Sequence, residues 1–374
     1  MTVSISGTNG VTFPDSSLQT AAASPYVLKN RIINGDMRID QRNAGASITP
    51  TSGQYSIDRW KCYLSQSSKY TIQQNAGSVT PPTGFTNYLG VTSSSAYSVL
   101  TADYFFIAQF IEGLNLADLG FGTANAQTVT ISFWVRSSLT GTFGGSIVNG
   151  GSNRSYPFSY TISTANTWEQ KSVTIAGDTS GTWLTTNGIG CQVIFSLGAG
   201  ATFSGTAGAW AGANYTSSTG ATSVVGTNGA TFYITGVQLE QNTSATPFER
   251  RLYNQELANC QRYYYRIKSE AGGNVFGSAW VGTTTVLYVI TQFPVTLRAV
   301  PSALEQSGTA GDYAAYHGGT ATTCNAVPAL TASNLMSNQY AFTSFGVASG
   351  LTVGQGGYGR AVNTSAYLGW SAEL

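Results

Sequence analysis

The chain has 374 residues, of which 9% are charged, and its formal net charge is +1. The near-zero net charge excludes disorder driven by charge repulsion, and the absence of a basic patch argues against a nucleic-acid partner. No apolar run is long enough for a membrane helix, and the sequence MTVSISGTNGVTF has no basic region followed by an apolar core. With 44 glycines, 12% aromatic residues and few charges, the composition predicts an all-β protein with many turns.

The first 24 residues are too few and too polar to build a core of their own. Gly7-Thr8-Asn9-Gly10 is a turn signal, and Val11-Thr12-Phe13 is compatible with one short strand. Two interpretations stay open for this segment: an arm that docks on neighbouring subunits, and a frayed terminus.

Residues 25–245 have the pattern of a β-sandwich. Apolar and polar residues alternate along Thr128–Arg136, as on a strand with one face in a core. Asn34-Gly35 lies between two apolar segments and predicts a hairpin turn. About eight short strands at this spacing predict a jelly roll. The clearest strand-like runs are Ile57–Tyr63, Tyr104–Ile111, Thr128–Arg136, Tyr156–Ser163, Trp168–Ile175, Gln192–Leu197 and Thr231–Leu239.

The stretch Thr179–Leu239 contains no Lys, Arg, Asp, Glu or His. Acid–base catalysis needs titratable groups, and glycoside hydrolysis needs two carboxylates beside one bond, so this stretch predicts no catalytic residue. It offers ring faces and amides instead, which hold sugars by stacking and by hydrogen bonds to hydroxyls. The ligand-binding candidates are Trp183, Trp210, Asn214 and Tyr215. The alternative is that the tryptophans belong to the core of the sandwich.

A long excursion, Thr202–Gly226, separates two of the predicted strands and contains three of these candidates. Loops of this length inside a compact domain are uncommon and are usually functional or disordered. We therefore expect this loop to form part of a ligand-binding surface.

No metal site stands out in the sequence. Glu112 and Glu240 lie near predicted strand ends and are the candidates for a structural Ca²⁺, but no acidic cluster surrounds either of them. We therefore predict no metal and no other cofactor. The cysteines are far apart and form no metal-binding spacing, so all four are predicted to be buried, reduced thiols. They are Cys62, Cys191, Cys260 and Cys324.

Residues 246–270 have the pattern of a connecting helix between two β domains. Apolar residues recur there at helical spacing, and charged residues crowd into the segment. A lone amphipathic helix of this length is marginal in water, so its apolar face needs a partner, which is either its own domain or another copy of the chain. The run Gln261–Tyr265 favours a copy, because aromatic residues and Arg are enriched at interfaces. The predicted oligomer interface consists of Tyr253, Leu257, Cys260, Gln261 and Tyr264.

Residues 271–374 are predicted to form a second, smaller β domain. Thr284–Phe293 is a strong β-forming run, and Pro294 and Pro301 bracket a segment, Val295–Val300, that is compatible with an edge strand or with the start of a strand. The remainder combines glycine-rich turns with interleaved aromatic residues. Two interpretations stay open: a tip that presents loops, and a domain that packs subunits together.

Five motifs are distinctive: Asn34–Met37, Tyr55–Trp60, Phe248–Arg251, Glu256–Tyr264 and Phe293–Pro301. Together they resemble motifs of bacteriophage tail-fibre and related virion proteins that carry a lectin-like β-sandwich. The segment GTNGVTFPDSSLQT is similar to amino-terminal segments of phage fibre proteins. The resemblance implies a homotrimer, attachment to other virion proteins through residues 1–24, synthesis in the host bacterial cytoplasm, and exposure on the particle.

Three classes of function remain open. The first is a tail fibre or tail-associated adhesin that binds host surface glycans, and the second is a non-lectin decoration or adaptor protein of the virion. The third is a polysaccharide depolymerase, against which the sparse carboxylates argue. We predict a non-enzymatic adhesin, with the adaptor as the alternative, and we expect neither nucleic-acid binding nor membrane insertion.

Overall fold

A computed structural model describes residues 29–331 and 335–374, together with three short strands near the amino terminus. Those strands, β1 (Ser4–Ser6), β2 (Gly10–Thr12) and β3 (Leu18–Gln19), form an antiparallel sheet. The rest of the predicted arm, residues 1–24, lies outside the described residues. Strands dominate the chain, which confirms the all-β prediction. Within the described ranges no helix is long and apolar enough to cross a bilayer.

The first domain is a sandwich of a six-stranded and a five-stranded antiparallel sheet. Its strands are β4 (Tyr55–Ile57), β5 (Trp60–Leu64), β6 (Tyr70–Gln74), β7 (Leu89–Ser93), β8 (Tyr104–Glu112), β9 (Val129–Ser137), β10 (Gly141–Asn149), β11 (Ser155–Ile162), β12 (Glu169–Ile175), β13 (Ile189–Ala199), β14 (Ser204–Gly205), β15 (Ser217–Ser218) and β16 (Thr231–Glu240). The strand orders are β11-β10-β13-β8-β5-β4 and β12-β9-β16-β7-β6, while β14 and β15 pair separately. This arrangement confirms the predicted jelly-roll sandwich.

The core lies between the two sheets, where the inward residues of alternating strands meet. Phe133 of β9 packs edge-on against Tyr160 and Phe195 of the opposite sheet, with ring centres 4.9 Å apart in both pairs. Trp60 of β5 is fully buried in the same cluster. The alternation predicted along β9 therefore places its apolar face in the core.

Asn34 makes a turn, but the hairpin predicted around it is wrong. Its backbone is left-handed, with φ of 56°. Its side chain bonds the backbone of Ile39 in both directions and donates to the carbonyl of Asp58. These bonds occupy groups that a hairpin ladder would have used, so the flanking residues form no strands.

The connecting helix is shorter than the predicted 246–270. Helix α1 spans Tyr253–Gln261, and the chain then enters strand β17 (Tyr264–Lys268). All five residues of β17 pair with β26 (Tyr367–Ser371) of the second domain. Long-range pairing of an aromatic, β-forming run therefore overrides the local helical pattern.

The second domain packs a three-stranded sheet, β17-β26-β20, against a seven-stranded sheet, β22-β21-β25-β18-β19-β24-β23. Its remaining strands are β18 (Val275–Thr283), β19 (Val286–Gln292), β20 (Ala303–Gln306), β21 (Tyr313–His317), β22 (Thr320–Thr323), β23 (Ala329–Leu330), β24 (Tyr340–Gly346) and β25 (Gly356–Ala361). Phe276, Val289, Phe345 and Trp370 lie in the core between the two sheets.

Candidate functional site

Both faces of the six-stranded sheet carry aromatic rings, the outer face as well as the face in the core. On β8, Phe105 and Ile107 belong to the main core, whereas Phe106 and Phe110 belong to a separate apolar cluster on the opposite face. Tyr63 of β5 lies opposite Phe106 in the ladder, and their rings stack 5.1 Å apart with planes 19° from parallel. This face is therefore a ring-covered surface outside the core.

The long loop after β13 folds over part of that surface. Its strand β15 lies against β10. The two strands are so close that a Cβ on Gly144 of β10 would overlap the hydroxyl group of Ser217. At the start of the loop, the ring of Phe203 packs edge-on against Tyr104, with centres 5.0 Å apart. Asn214 and Thr216 face the same space. The loop thus forms one wall above the rings of the sheet.

Between the loop and the sheet lies a groove with a volume of about 440 Å³. Its lining contains aromatic rings, small residues and amides, and no charged side chain. The lining residues are Tyr63, Tyr104, Phe106, Phe110, Gly150, Ser152, Ile189, Gln192, Phe203, Asn214 and Thr216.

The polar groups of the groove come from amides and hydroxyls. The Gln192 amide nitrogen donates to Ser152 Oγ at 3.1 Å, which fixes the orientation of the side chain. The half-buried Asn214 side chain offers an amide donor and a carbonyl acceptor at the wall. The groove therefore presents neutral hydrogen-bonding groups around an apolar floor.

Of the four predicted ligand residues, Asn214 lines the groove and the others lie elsewhere. Trp183 and Trp210 pack against each other at 5.5 Å and 86°, and Trp210 also contacts Tyr156 of β11. The Trp210 indole nitrogen donates to the carbonyl of Ala176 at 2.7 Å. Tyr215 packs beside Gly205 within the loop, so closely that a Cβ on Gly205 would overlap the tyrosine ring.

The rings of the groove were not among the sequence candidates, although one signal points to them. The run YFFIAQFIE of β8 is apolar on both of its alternating faces. A strand of this kind is covered on both sides or carries a site on one of them. Because the sequence does not show what lies above the outer face, the run alone predicts only a buried strand.

The two carboxylates considered for Ca²⁺ are held by other side chains. Glu112 accepts two hydrogen bonds from the Arg262 guanidinium, at 2.8 and 3.2 Å, and one from the Tyr263 hydroxyl at 2.9 Å. Glu240 accepts from the Thr246 backbone and hydroxyl at 2.9 and 2.6 Å. Both tie the sandwich to the segment that follows it. Throughout the ranges that are described, no three His, Cys, Asp or Glu side chains form a metal-binding group.

The predicted oligomer interface is only partly accessible. Cys260 and Tyr264 are 0% exposed within the single chain. Tyr264 donates to Glu305 at 2.7 Å, and the Arg42 guanidinium lies 3.6 Å from its ring centre. The structure therefore corrects the placement of these two residues, because intrachain partners already cover them. Tyr253 is 53% exposed, and Leu257 and Gln261 are half-buried.

The distinctive motifs of the sequence meet at the junction between the two domains. Asn34 accepts a hydrogen bond from the Trp60 indole at 3.0 Å, and its own backbone N–H donates to Glu256. The Arg298 guanidinium, from the second domain, donates to the carbonyl of Asn187 in the sandwich at 2.7 Å. It also donates to the carbonyls of Ala372 and Glu373 in its own domain, at 2.9 and 3.0 Å. These motifs therefore have a structural role, since they fix the second domain on the sandwich.

Two ionisable groups at the junction are buried almost completely. Arg59 is 1% exposed and pairs with Glu373, which also pairs with Arg42. Asp58 is fully buried, and burial raises the pKa of its carboxyl group to about 7, against the lowering effects of Arg42 and of hydrogen bonds from Gln41. The junction is thus held by charges that have lost most of their water.

No family model matches the chain, and no curated protein matches it. Solved structures that match part of the chain include the enzymatically active domain of tailspike protein 4 from bacteriophage CBA120, at 13% identity and a TM-score of 0.31. That match covers 57% of this chain and 21% of the tailspike chain. A family 11 carbohydrate-binding module from Clostridium thermocellum, solved with a β-1,3-1,4-mixed-linked tetrasaccharide, matches at 13% identity and a TM-score of 0.28, covering 53% of this chain and 97% of the module.

The amino-terminal cellulose-binding domain of a β-1,4-glucanase from Cellulomonas fimi matches at 14% identity and a TM-score of 0.22, over 50% of this chain and 90% of that domain. We draw no argument about this chain from matches at this level. The fold and the groove define a two-domain β protein whose jelly-roll sandwich carries an uncharged, ring-lined groove.

Proposed function

We propose that the groove binds a neutral glycan. The observation that carries the proposal is its lining, in which five aromatic rings and two amides surround about 440 Å³ without a charged side chain. Aromatic rings pack against the C–H faces of sugars, and amides bind their hydroxyl groups. The lining residues offer an acidic sugar no opposite charge. The nearby ammonium group of Lys61, 5.1 Å from the ring centre of Phe110, donates instead to the carbonyl of Leu374, so the groove favours a neutral ligand.

We also propose that the protein binds its glycan without cleaving it. Glycoside hydrolysis generally uses two carboxyl groups on either side of the scissile bond. The residues that line the groove include no Asp and no Glu. These side chains can therefore bind a glycan, but they include no pair of carboxyl groups to hydrolyse it.

At the level of the organism, we propose a bacteriophage virion protein, made in the host bacterial cytoplasm and exposed on the particle as a tail fibre or tail-associated adhesin. The support is the resemblance of the five motifs from Asn34 to Pro301, together with the groove. In this proposal three copies assemble, residues 1–24 attach to other virion proteins, and the groove contacts host surface glycans. Weak single sites then gain strength through avidity.

A glycan array probed with the whole chain tests the proposed function, and calorimetry on the best ligand tests the groove. Tyr63→Ala removes one ring of the floor and is expected to weaken binding at least about tenfold, since a stacked ring is worth roughly 1–3 kcal/mol by analogy with aromatic stacking on bases. Tyr253→Ala is the matched control, because it makes the same substitution at an exposed tyrosine on α1, which does not line the groove. Its affinity should be unchanged.

Two results would contradict the proposal. One is an array on which the folded protein binds no glycan, which would favour the adaptor role. The other is a ligand whose affinity is the same for Tyr63→Ala and the unaltered chain, which would place binding outside the groove. Release of reducing ends from a bound polysaccharide would contradict binding without cleavage.

A further inference from the structure

Another groove lies between the two domains, and we call it the interdomain groove. Its volume is about 790 Å³, which is within the size range of ligand-binding sites. Its walls come from both domains: Gln54 and Lys61 belong to the sandwich, and Arg266, Gln306 and Tyr367 belong to the second domain. The groove is therefore complete only when both domains are in place.

The two glutamates that line the interdomain groove are already paired with cations. Glu373 is shared by the guanidinium groups of Arg42 and Arg59. Glu305 accepts a hydrogen bond from Arg42 at 2.6 Å and one from the Tyr264 hydroxyl at 2.7 Å. Because these partners compensate the negative charge of both carboxylates, they reduce the repulsion that an anion in the groove would meet.

Arg266 has no carboxylate partner among the residues that the structure describes. One nitrogen of its guanidinium group donates to the carbonyls of Gln41 and Arg42 in the sandwich. The group also lies 3.6 Å from the ring centre of Tyr367. Its Nη2 atom makes no hydrogen bond to any described residue. These contacts hold the guanidinium group in place and leave its positive charge available to a carboxylate or phosphate group.

Two glutamine side chains add hydrogen-bond donors to the same groove. The Oε1 atom of Gln54 accepts from the backbone N–H of Thr51 at 3.0 Å, and that of Gln306 accepts from the backbone N–H of Gly308. Because a backbone donor holds each amide oxygen, the NH₂ group of each amide remains for a ligand. The ammonium group of Lys61 donates one hydrogen bond within the chain, so two of its three donors remain. The lining therefore favours a ligand that is rich in acceptors.

Cations lie over the aromatic rings of the interdomain groove. The Arg42 guanidinium lies 4.7 Å and the Lys61 ammonium group 5.3 Å from the ring centre of Tyr55. Arg266 lies over Tyr367 in the same way. These cations occupy ring faces on which a nucleotide base would stack or the apolar side chains of a peptide would pack. A sugar carries hydroxyl groups around its ring and can be bound by hydrogen bonds instead.

We propose that the interdomain groove binds an acidic saccharide. Its carboxylate or phosphate group lies beside Arg266, and its hydroxyl oxygens accept hydrogen bonds from Gln54 and Gln306. Hydrogen bonds between charged groups are roughly twice as strong as neutral ones, so the anionic group supplies most of the affinity. The site differs in chemistry from the ring-lined groove of the sandwich, which favours a neutral ligand. The proposal does not depend on glycan binding in that other groove.

Isothermal titration calorimetry on the whole chain tests the proposal with four probes: glucuronate, glucose 6-phosphate, inorganic phosphate and glucose. At least one of the two acidic sugars is expected to bind at least about tenfold more tightly than glucose, with an affinity that falls as salt is added. Binding of glucuronate alone identifies a carboxylate site, and binding of glucose 6-phosphate alone identifies a phosphate site. If neither acidic sugar binds, the proposal is overturned. Inorganic phosphate that binds as tightly as the acidic sugars also overturns it, because the sugar then contributes nothing.

Glutamine-to-glutamate substitutions locate the site. Gln54→Glu keeps an oxygen for the Thr51 N–H and replaces the NH₂ donor with a negative charge, so it should weaken binding of the acidic sugar at least about tenfold. Gln306→Glu should act in the same way. Gln54 is exposed, so its substitution leaves the core intact, and thermal unfolding should show both variants to be folded.

Two controls separate a local effect from a general one. Gln170→Glu makes the same change at an exposed position of β12, in the other sheet of the sandwich, and should leave the affinity unchanged. Asn214→Ala alters the ring-lined groove and should also leave it unchanged. Affinity that survives both Gln54→Glu and Gln306→Glu overturns the proposal. So does an equal loss in Gln170→Glu or Asn214→Ala, which would place binding outside the interdomain groove.

Discussion

The guanidinium group of Arg59 lies 3.5 Å from the ring centre of Tyr263, where the sandwich meets the segment that leads into the second domain. Arg59 also pairs with Glu373, so one buried side chain contacts both the connecting segment and the end of the second domain. A buried guanidinium group is tolerated only when opposite charge and hydrogen bonds replace its water. The orientation of the two domains is therefore fixed by electrostatics as well as by packing.

Glu373→Gln should destabilise the junction strongly. The change leaves Arg59 and Arg42, which are 1% and 5% exposed at the side chain, without their shared carboxylate. Loss of one partner from a buried ion pair costs about 3–5 kcal/mol, which denaturant unfolding can measure. Glu305→Gln is the matched control: it removes another carboxylate from Arg42, but one that is 41% exposed. A loss comparable to that of Glu373→Gln at this second position would argue against the central role of Glu373.

The stability of the chain should decrease between about pH 4 and pH 7 because of Asp58. Its folded-state pKa of about 7 lies above the unfolded value of 3.8, so the folded protein holds this proton more tightly. The contribution of the group is fully present below the unfolded pKa and is lost as the pH rises through the folded pKa. Each pH unit within this window then lowers the free energy of unfolding by up to about 1.4 kcal/mol.

Chemical denaturation across that pH range measures the effect, with Asp58→Asn as the comparison. The variant cannot ionise at this position, so its free energy of unfolding should depend less on pH. The substitution also replaces one of the two oxygens that accept hydrogen bonds from Gln41 with an amide NH₂ donor. Identical pH profiles for the two proteins would show that Asp58 ionises as readily in the folded state as in the unfolded state.

Trp210→Ala should reduce stability more than ligand affinity. The ring packs against Tyr156 and Trp183 beside the main core and is absent from the groove. Removing a half-buried tryptophan is expected to cost about 2–3 kcal/mol. A double-mutant cycle with Trp183→Ala should give a coupling of at least about 0.5 kcal/mol, since the two rings touch. A large loss of glycan affinity without a change in melting temperature would restore Trp210 as a ligand contact.

Removal of divalent cations should leave the melting temperature unchanged. The carboxylates of Glu112 and Glu240 already receive hydrogen bonds from Arg262, Tyr263 and Thr246. Calorimetric scans with EDTA and with added Ca²⁺ are therefore expected to superimpose. A stabilisation that grows with Ca²⁺ concentration would reveal a site that involves other ligands.

The sandwich was predictable because its strands carry a strong local pattern. Along β9, alternation alone identified Ile131, Phe133 and Val135 as core residues. The end of α1 was not predictable in this way, since Tyr264–Lys268 becomes a strand only through its pairing with residues about 100 positions later. Local spacing contains no information about such a partner.

The groove shows the same limit at the level of the site. The expectation that the long loop contributes to a ligand surface agrees with the position of Phe203, Asn214 and Thr216, although ligand binding there remains a proposal. The floor of the groove was missed because Phe106 and Phe110 differ from core residues only in which face of β8 they occupy. That distinction depends on how the sheet packs, and the sequence of one strand does not specify it.

The Arg59–Glu373 contact joins residues 314 positions apart, which has a consequence for the timing of synthesis. At about 5–20 residues per second, a ribosome needs roughly 15–60 s to travel from the first residue to the second. The sandwich is complete only after β16 has been made, so for about the last 130 residues before Glu373, roughly 7–27 s, it carries Arg59 without its carboxylate. The buried guanidinium group of Arg59 therefore stays unpaired in the nascent sandwich until the second domain is made. Interruption of translation in that interval should yield fragments that are especially prone to degradation.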